Sequence, residues 1–80
     1  MYIVYILLSV KDPSRYYIGI TKNLEQRLKA HNNSEVGYTK RYTPWQVETY
    51  IVFKNKSLAA NFEKYLKSGS GYAFLKKRLI

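Results

Sequence analysis

Few side chains in this sequence can do chemistry. The 80 residues include five acids (Asp12, Glu25, Glu35, Glu48 and Glu63), one histidine (His31) and no cysteine. There is no glycine-rich phosphate loop, no Ser-His-Asp set and no pair of neighbouring carboxylates. Disulfides and thiolate metal sites are ruled out by composition, and a structural zinc site is not supported by a single histidine. Four of the acids, Asp12, Glu25, Glu35 and Glu48, fall in turns, loops or exposed strand and helix positions. A two-metal mechanism needs several converging carboxylates and is poorly supplied here. A single metal held by one carboxylate, with waters and phosphate oxygens completing an octahedron, is compatible with Mg²⁺.

Charge points to the partner. Fourteen Lys and Arg against five acids give a net charge of +9 and a pI near 9.9. In so short a chain that imbalance favours a polyanion, usually nucleic acid. The competing readings are a merely solvated basic surface or an anionic membrane. No strongly amphipathic basic helix supports the membrane. The apolar N-terminal run is too short for a signal peptide or a membrane span, so a cytoplasmic location is expected. Length implies one domain over residues 1–80 with a thin core.

The elements that must position these groups follow from patterning. Tyr2 to Leu8 is a continuous apolar run ended by the turn-prone Lys11-Asp12-Pro13-Ser14, which predicts a central strand buried on both faces. Tyr16 to Ile20 predicts a second strand in a hairpin with the first, with Tyr17 and Gly19 on one face and Tyr16, Ile18 and Ile20 on the other. Glycine at 19 would let a backbone or ligand approach closely. A helix is predicted from Asn23, with Gln26 three residues on, Leu24 and Leu28 as its stripe, and Asn32-Asn33-Ser34 as its end. Arg27 and His31 are neighbours on its flank. Residues 35–44 read as a basic, aromatic loop. Trp45 to Phe53 is a third strand with Val47, Thr49, Ile51 and Phe53 on one face. Ser57 is expected to cap a helix from Leu58 to Ser68, with Leu58, Phe62, Tyr65 and Leu66 in its stripe and Gly69 closing it. A last helix is predicted over Tyr72 to Leu79, packing Phe74, Leu75 and Leu79. The order β-β-α-β-α-α makes a small α+β domain.

With these elements in place, Val4-Tyr5-Ile6 followed by Tyr17-Ile18-Gly19 resembles the two motifs of the GIY-YIG nuclease superfamily. Arg27 and Glu63 match its two other hallmark positions. The likeness extends over the whole chain and is similar to small stand-alone bacterial members through Asn23-Leu24, Tyr38-Thr39, Pro44-Trp45 and the run from Phe62 to Gly71. The resemblance implies a three-stranded antiparallel sheet flanked by helices, and metal-dependent hydrolysis of a phosphodiester. By position, Glu63 would be the sole protein ligand of Mg²⁺ or Mn²⁺. Arg27 would hold the scissile phosphate, for which a guanidinium fork is well shaped. Tyr5 and Tyr17 would line the site, one of them positioning or deprotonating the attacking water. Free tyrosine, with a pKa of about 10, is a poor base unless that value is lowered. His31, of a type that ordinarily titrates near ~6.5, rivals Tyr17 as the base. Val4 replaces the first motif's glycine, and Ile20 stands where some relatives carry a lysine.

Each of these residues also has an ordinary reading. Glu63 and Lys67 form an i, i+4 helix pair worth roughly 0.2–0.5 kcal/mol. Arg27 can be a solvated helix residue, His31 a helix-end polar residue, and Tyr5 and Tyr17 core. Lys40, Arg41 and Tyr42 in the loop, with Lys67, Lys76 and Lys77, can be solubilising, or can form a phosphate-tracking surface with a stacking side chain. The expected function is a DNA endonuclease acting on branched, flapped or damaged DNA in repair or recombination. The alternative is a non-catalytic nucleic-acid-binding module on the same scaffold. The sequence does not separate DNA from RNA. A bare domain of this size is expected to bind weakly, form a homodimer or recruit a protein partner.

Overall fold

The computed structural model describes residues 1–33 and 35–80. Strand β1 (Tyr2–Ser9) runs through the centre of a three-stranded sheet of order β2-β1-β3, with β2 covering Tyr16–Thr21 and β3 Trp45–Phe53, both antiparallel to β1. Its middle residues Val4, Tyr5, Ile6 and Leu7 have no exposed surface, as a continuous apolar run with helices on both faces requires. The three-stranded α+β arrangement and the order β-β-α-β-α-α match the expectation from sequence.

Alternation along β1 divides the interior into two cores. Val4 and Ile6 join Ile18, Ala59, Leu66 and Leu75 on one face. Tyr5 and Leu7 join Trp45 on the other, packed by Tyr17, Leu24, Leu28, Tyr42 and Val47. Fully burying an aliphatic side chain stabilises by roughly 1.5–3 kcal/mol, so both cores matter to so small a fold. The expected single face of β3 is not kept. Ile6 pairs with Thr49 but Leu7 pairs with Val47, so the ladder bulges at Glu48. The extra residue reverses the side-chain parity. Val47 therefore packs with Leu7, while Phe53 packs with Val4 and Ile6 on the far side.

Helix α1 (Leu24–Asn32) begins as predicted, with the Asn23 side chain accepting from the Gln26 amide. Asn33 is its C-cap, and Ser34, expected to complete the end, lies outside the described residues. The segment read as a loop contains a 3₁₀ turn over Thr39–Tyr42. Asn32 brackets the start of β3, its amide oxygen accepting from Trp45 N at 2.6 Å and its amide nitrogen donating to Trp45 O at 3.1 Å.

Helix α2 (Lys56–Leu66) starts earlier than expected. Asn55, not Ser57, is the cap, accepting from the amides of Ser57 and Leu58. The buried stripe shifts accordingly to Ala59, Phe62 and Leu66, while Leu58 is 59% and Tyr65 40% exposed. Gly69 does not end this helix. Lys67 is its C-cap, and Ser68 caps a new helix, α3 (Gly69–Phe74), which runs on into a π turn over Leu75–Leu79. Gly71 is the glycine this junction requires, because a Cβ there would overlap the Tyr65 carbonyl. Of the residues expected to be packed by the last helix, Leu75 is buried and Phe74 lies at the surface.

Candidate active site

The site grows from the pairing of Tyr5 with Gly19 across β1 and β2. A Cβ at residue 19 would overlap the Tyr5 hydroxyl and ring, so glycine lets the ring lie flat across β2. The close approach expected at Gly19 is thus filled by the protein's own tyrosine. The Tyr5 hydroxyl reaches α1, where Arg27 Nε donates to it at 3.1 Å and His31 Nε2 lies 3.0 Å away. The i, i+4 spacing of Arg27 and His31 brings both to one oxygen.

Hydrogen-bond direction follows from the far side of the imidazole. His31 Nδ1 is 2.8 Å from the Thr39 hydroxyl, and that hydroxyl donates its only proton to Val36 O at 3.1 Å. Thr39 therefore accepts from Nδ1–H, Nε2 carries no proton, and the Tyr5 hydroxyl donates to Nε2. A one-way chain results, from Arg27 through Tyr5, His31 and Thr39 to the Val36 carbonyl. Tyr5, His31 and Thr39 have no exposed surface.

Electrostatics agree with that chain. Burial, aided by the Arg27 charge, lowers the His31 pKa from 6.5 to about 4, so the ring is neutral at pH 7. Burial raises the Tyr5 pKa against the opposing pull of Arg27. The Tyr5 proton thus stays on Tyr5, since passing it to His31 is strongly uphill. The hydrogen bond to Tyr5, with Tyr17 nearby, raises the pKa of Arg27 and keeps its charge fixed.

Tyr17 stands at the open edge of this cluster. Half-buried, it packs against His31 at 4.7 Å between ring centroids and stacks with exposed Tyr38 at 6.3 Å. Glu63 comes from α2, which covers the opposite face, yet its charge acts on Tyr5 and adds to the rise of that pKa. The Glu63 side chain is 21% exposed and pairs with Lys67 Nζ at 3.2 Å. No group of three or more His, Cys, Asp or Glu that could hold a metal occurs among the described residues. A single partly buried carboxylate such as Glu63 could hold only an ion that keeps most of its waters.

The basic residues expected to track phosphates lie at the surface. Lys40 and Arg41 are exposed on the 3₁₀ turn, and Lys76 and Lys77 on the π turn. Tyr42 is half-buried, packed on Trp45 with the Arg15 guanidinium 5.0 Å above its ring, so it offers less stacking surface than its place in the sequence suggested. The sequence assigns Thr39 and Asn32 no role at the site; their signal is that small polar residues flank the aromatic ones they hold. Among the described residues, no helix is long and apolar enough to cross a membrane.

A three-stranded sheet with its tyrosine, arginine and histidine gathered where the hairpin meets α1, and one acid on α2, defines a class of small catalytic domain. The chain belongs to the GIY-YIG family, whose catalytic-domain model matches residues 1–76. It is 45% identical over 65 residues to a UPF0213 protein of Clostridium perfringens, covering 80% of this chain and 68% of that protein. It is 37% identical over 73 residues to the structure-specific endonuclease subunit SLX1 of Debaryomyces hansenii, covering 82% of this chain and 21% of that protein. A subunit of the same name from Talaromyces marneffei is 40% identical over 68 residues, with 78% and 18% covered. The chain thus spans about a fifth of the SLX1 relatives. The solution NMR structure of a UPF0213 protein from Bacillus halodurans superposes with a TM-score of 0.56 at 26% identity, covering 96% of this chain and 84% of that one.

Proposed function

We propose that this domain is a metal-dependent endonuclease that hydrolyses DNA phosphodiesters with a preference for branched or flapped structures. The observation that carries the reading is the Arg27–Tyr5–His31 chain, which fixes a guanidinium beside a half-open tyrosine in a protein of charge +9. Membership of the GIY-YIG family and likeness to endonuclease subunits support it.

In this reading Arg27 uses Nε to hold Tyr5 and presents its terminal amino groups to the scissile phosphate. Tyr17, open to solvent where His31 is not, positions the attacking water and, in its phenolate form, accepts the proton that water loses. Sealed, neutral His31 holds the Tyr5 proton in place, so Tyr5 and His31 position Arg27. Glu63 would hold Mg²⁺ or Mn²⁺, which when bound would offset charge on the phosphate oxygens. Lys40, Arg41, Lys76 and Lys77 track the flanking backbone. A role in repair or recombination would follow from the substrate preference.

The test is cleavage of labelled single-stranded, duplex, flap and four-way-junction DNA with Mg²⁺ or Mn²⁺, beside Glu63→Ala. Cutting that requires the ion and is abolished in a folded Glu63→Ala protein is the expected result. Equal cutting by Glu63→Ala would remove that residue from the mechanism. Binding that ignores EDTA, with no cutting of any substrate, would favour the non-catalytic module.

A further inference from the structure

Outside the Arg27 cluster, a cleft of about 260 Å³ follows the outer edge of β2 and is lined by Tyr16, Tyr17, Ile18, Leu66, Lys67 and Tyr72. Two of these residues tie it to the proposed centre. Tyr17 is shared with the cluster, and Lys67 pairs with Glu63. Ile18 and Leu66 give the cleft apolar lining, and Tyr16, Tyr17 and Tyr72 contribute three tyrosines to it. Tyr72 is 49% exposed, and burial together with the nearby Tyr72 hydroxyl raises the pKa of Tyr16. Lys76 Nζ sits 5.8 Å from the Tyr16 ring centroid, adding a second cation beside Lys67. Among the described residues, no acidic one lines the cleft.

We infer that this cleft is a binding subsite for one unpaired nucleobase adjoining the scissile phosphate. Tyr72 and Tyr17 supply faces to stack on, and Lys67 and Lys76 attract the neighbouring phosphates. Rings interleaved with cations are the means by which proteins take single-stranded nucleic acid without reading sequence. Size narrows the occupant, because the volume falls below the ~300–1,000 Å³ of pockets for drug-sized ligands and suits a single flat ring system. A base inside a duplex has both faces covered by its neighbours and cannot enter. Only a base at a flap, end or junction presents its face. The inference rests on the nuclease reading for the position of the scissile phosphate, and it accounts physically for a preference for branched DNA.

Binding measured in EDTA separates the two readings, because it requires no turnover. The probes are a duplex, and the same duplex carrying a single-stranded flap with 2-aminopurine as its first unpaired base. The parent is expected to bind the flap more tightly and to quench the 2-aminopurine. Tyr72→Ala, at an exposed position, is expected to weaken flap binding between ~5-fold and ~100-fold. It should relieve the quenching and leave duplex binding within about twofold, while Tyr72→Trp retains both flap properties. Equal losses on flap and duplex, or an unquenched 2-aminopurine in the parent, would overturn the subsite. Failure of the nuclease reading would instead appear as intact flap preference in EDTA with no cutting when metal is added.

Discussion

Thr39→Val tests whether the hydrogen-bond chain sets the state of the site. Valine nearly keeps the shape of threonine but removes the hydroxyl that accepts from His31 Nδ1 and donates to Val36 O. The Val36 carbonyl keeps a partner, since Lys40 N donates to it at 3.1 Å. The loss therefore falls on the buried imidazole. Leaving its Nδ1–H unpaired costs about 1–3 kcal/mol. The ring can escape that penalty by moving its proton to Nε2, but that nitrogen would then donate to Tyr5. The Tyr5 oxygen would accept from both His31 and Arg27, and its own proton would lose its acceptor. Either way, stability is expected to fall by about 1–3 kcal/mol in urea unfolding. Each ~1.4 kcal/mol lost from the positioning of Arg27 would lower kcat about tenfold. Imidazole ¹⁵N shifts read the tautomer directly: protonated Nδ1 in the parent and in Thr39→Ser, and a changed pattern in Thr39→Val. A Thr39→Val protein with the parent's ¹⁵N pattern, stability and kcat would refute the chain.

Gly19→Ala should destabilise by about 1–3 kcal/mol through overpacking, because the atom it meets belongs to a buried ring held by two hydrogen bonds; thermal unfolding, with binding and cleavage, checks it. The His31 pKa is lowered on folding, so the unfolded chain binds more protons between about pH 4 and 6.5, and stability must fall as pH drops through that window. The stabilisation is complete above pH 6.5 and shrinks by about 3 kcal/mol towards pH 4; urea titrations should show a slope that His31→Asn largely removes, leaving the contribution of Asp12, whose pKa is lowered by hydrogen bonds from Ser14, at the acid end.

Much of this architecture could be read from the chain because its signals are local. The continuous apolar run from Tyr2 to Leu8 marks β1 as central, as the full burial of Val4 to Leu7 bears out, and Asn23 marks the start of α1. Where the reading failed, a longer-range contact decided. Asn55 and Ser57 are both good caps, and the side chain of the first takes the Ser57 and Leu58 amides. Gly69 and Gly71 look like a helix stop, yet Gly71 is there because α3 starts against the Tyr65 carbonyl. The bulge at Glu48 leaves no mark in the alternation of β3, since either face offers apolar residues. At the site, spacing placed Arg27 beside His31, but it did not disclose that His31 is sealed from water. That depends on Thr39, eight residues on and in another turn.

The single sheet between the two cores also bears on how the protein can be altered. Ala59, Leu66 and Leu75 pack on one face of β1, while Tyr5 and Trp45 pack on the other. Substitutions that touch no common partner add nearly independently. Changes to the core under α2 and α3 should thus move the unfolding free energy while leaving the Tyr5–His31 geometry alone, whereas changes under α1 should disturb both. Efforts to thermostabilise this domain for use as a tool belong around Ala59 and Leu75, away from Glu63 and from the cleft lined by Leu66, Lys67 and Tyr72, where a more rigid core need not come at the expense of turnover.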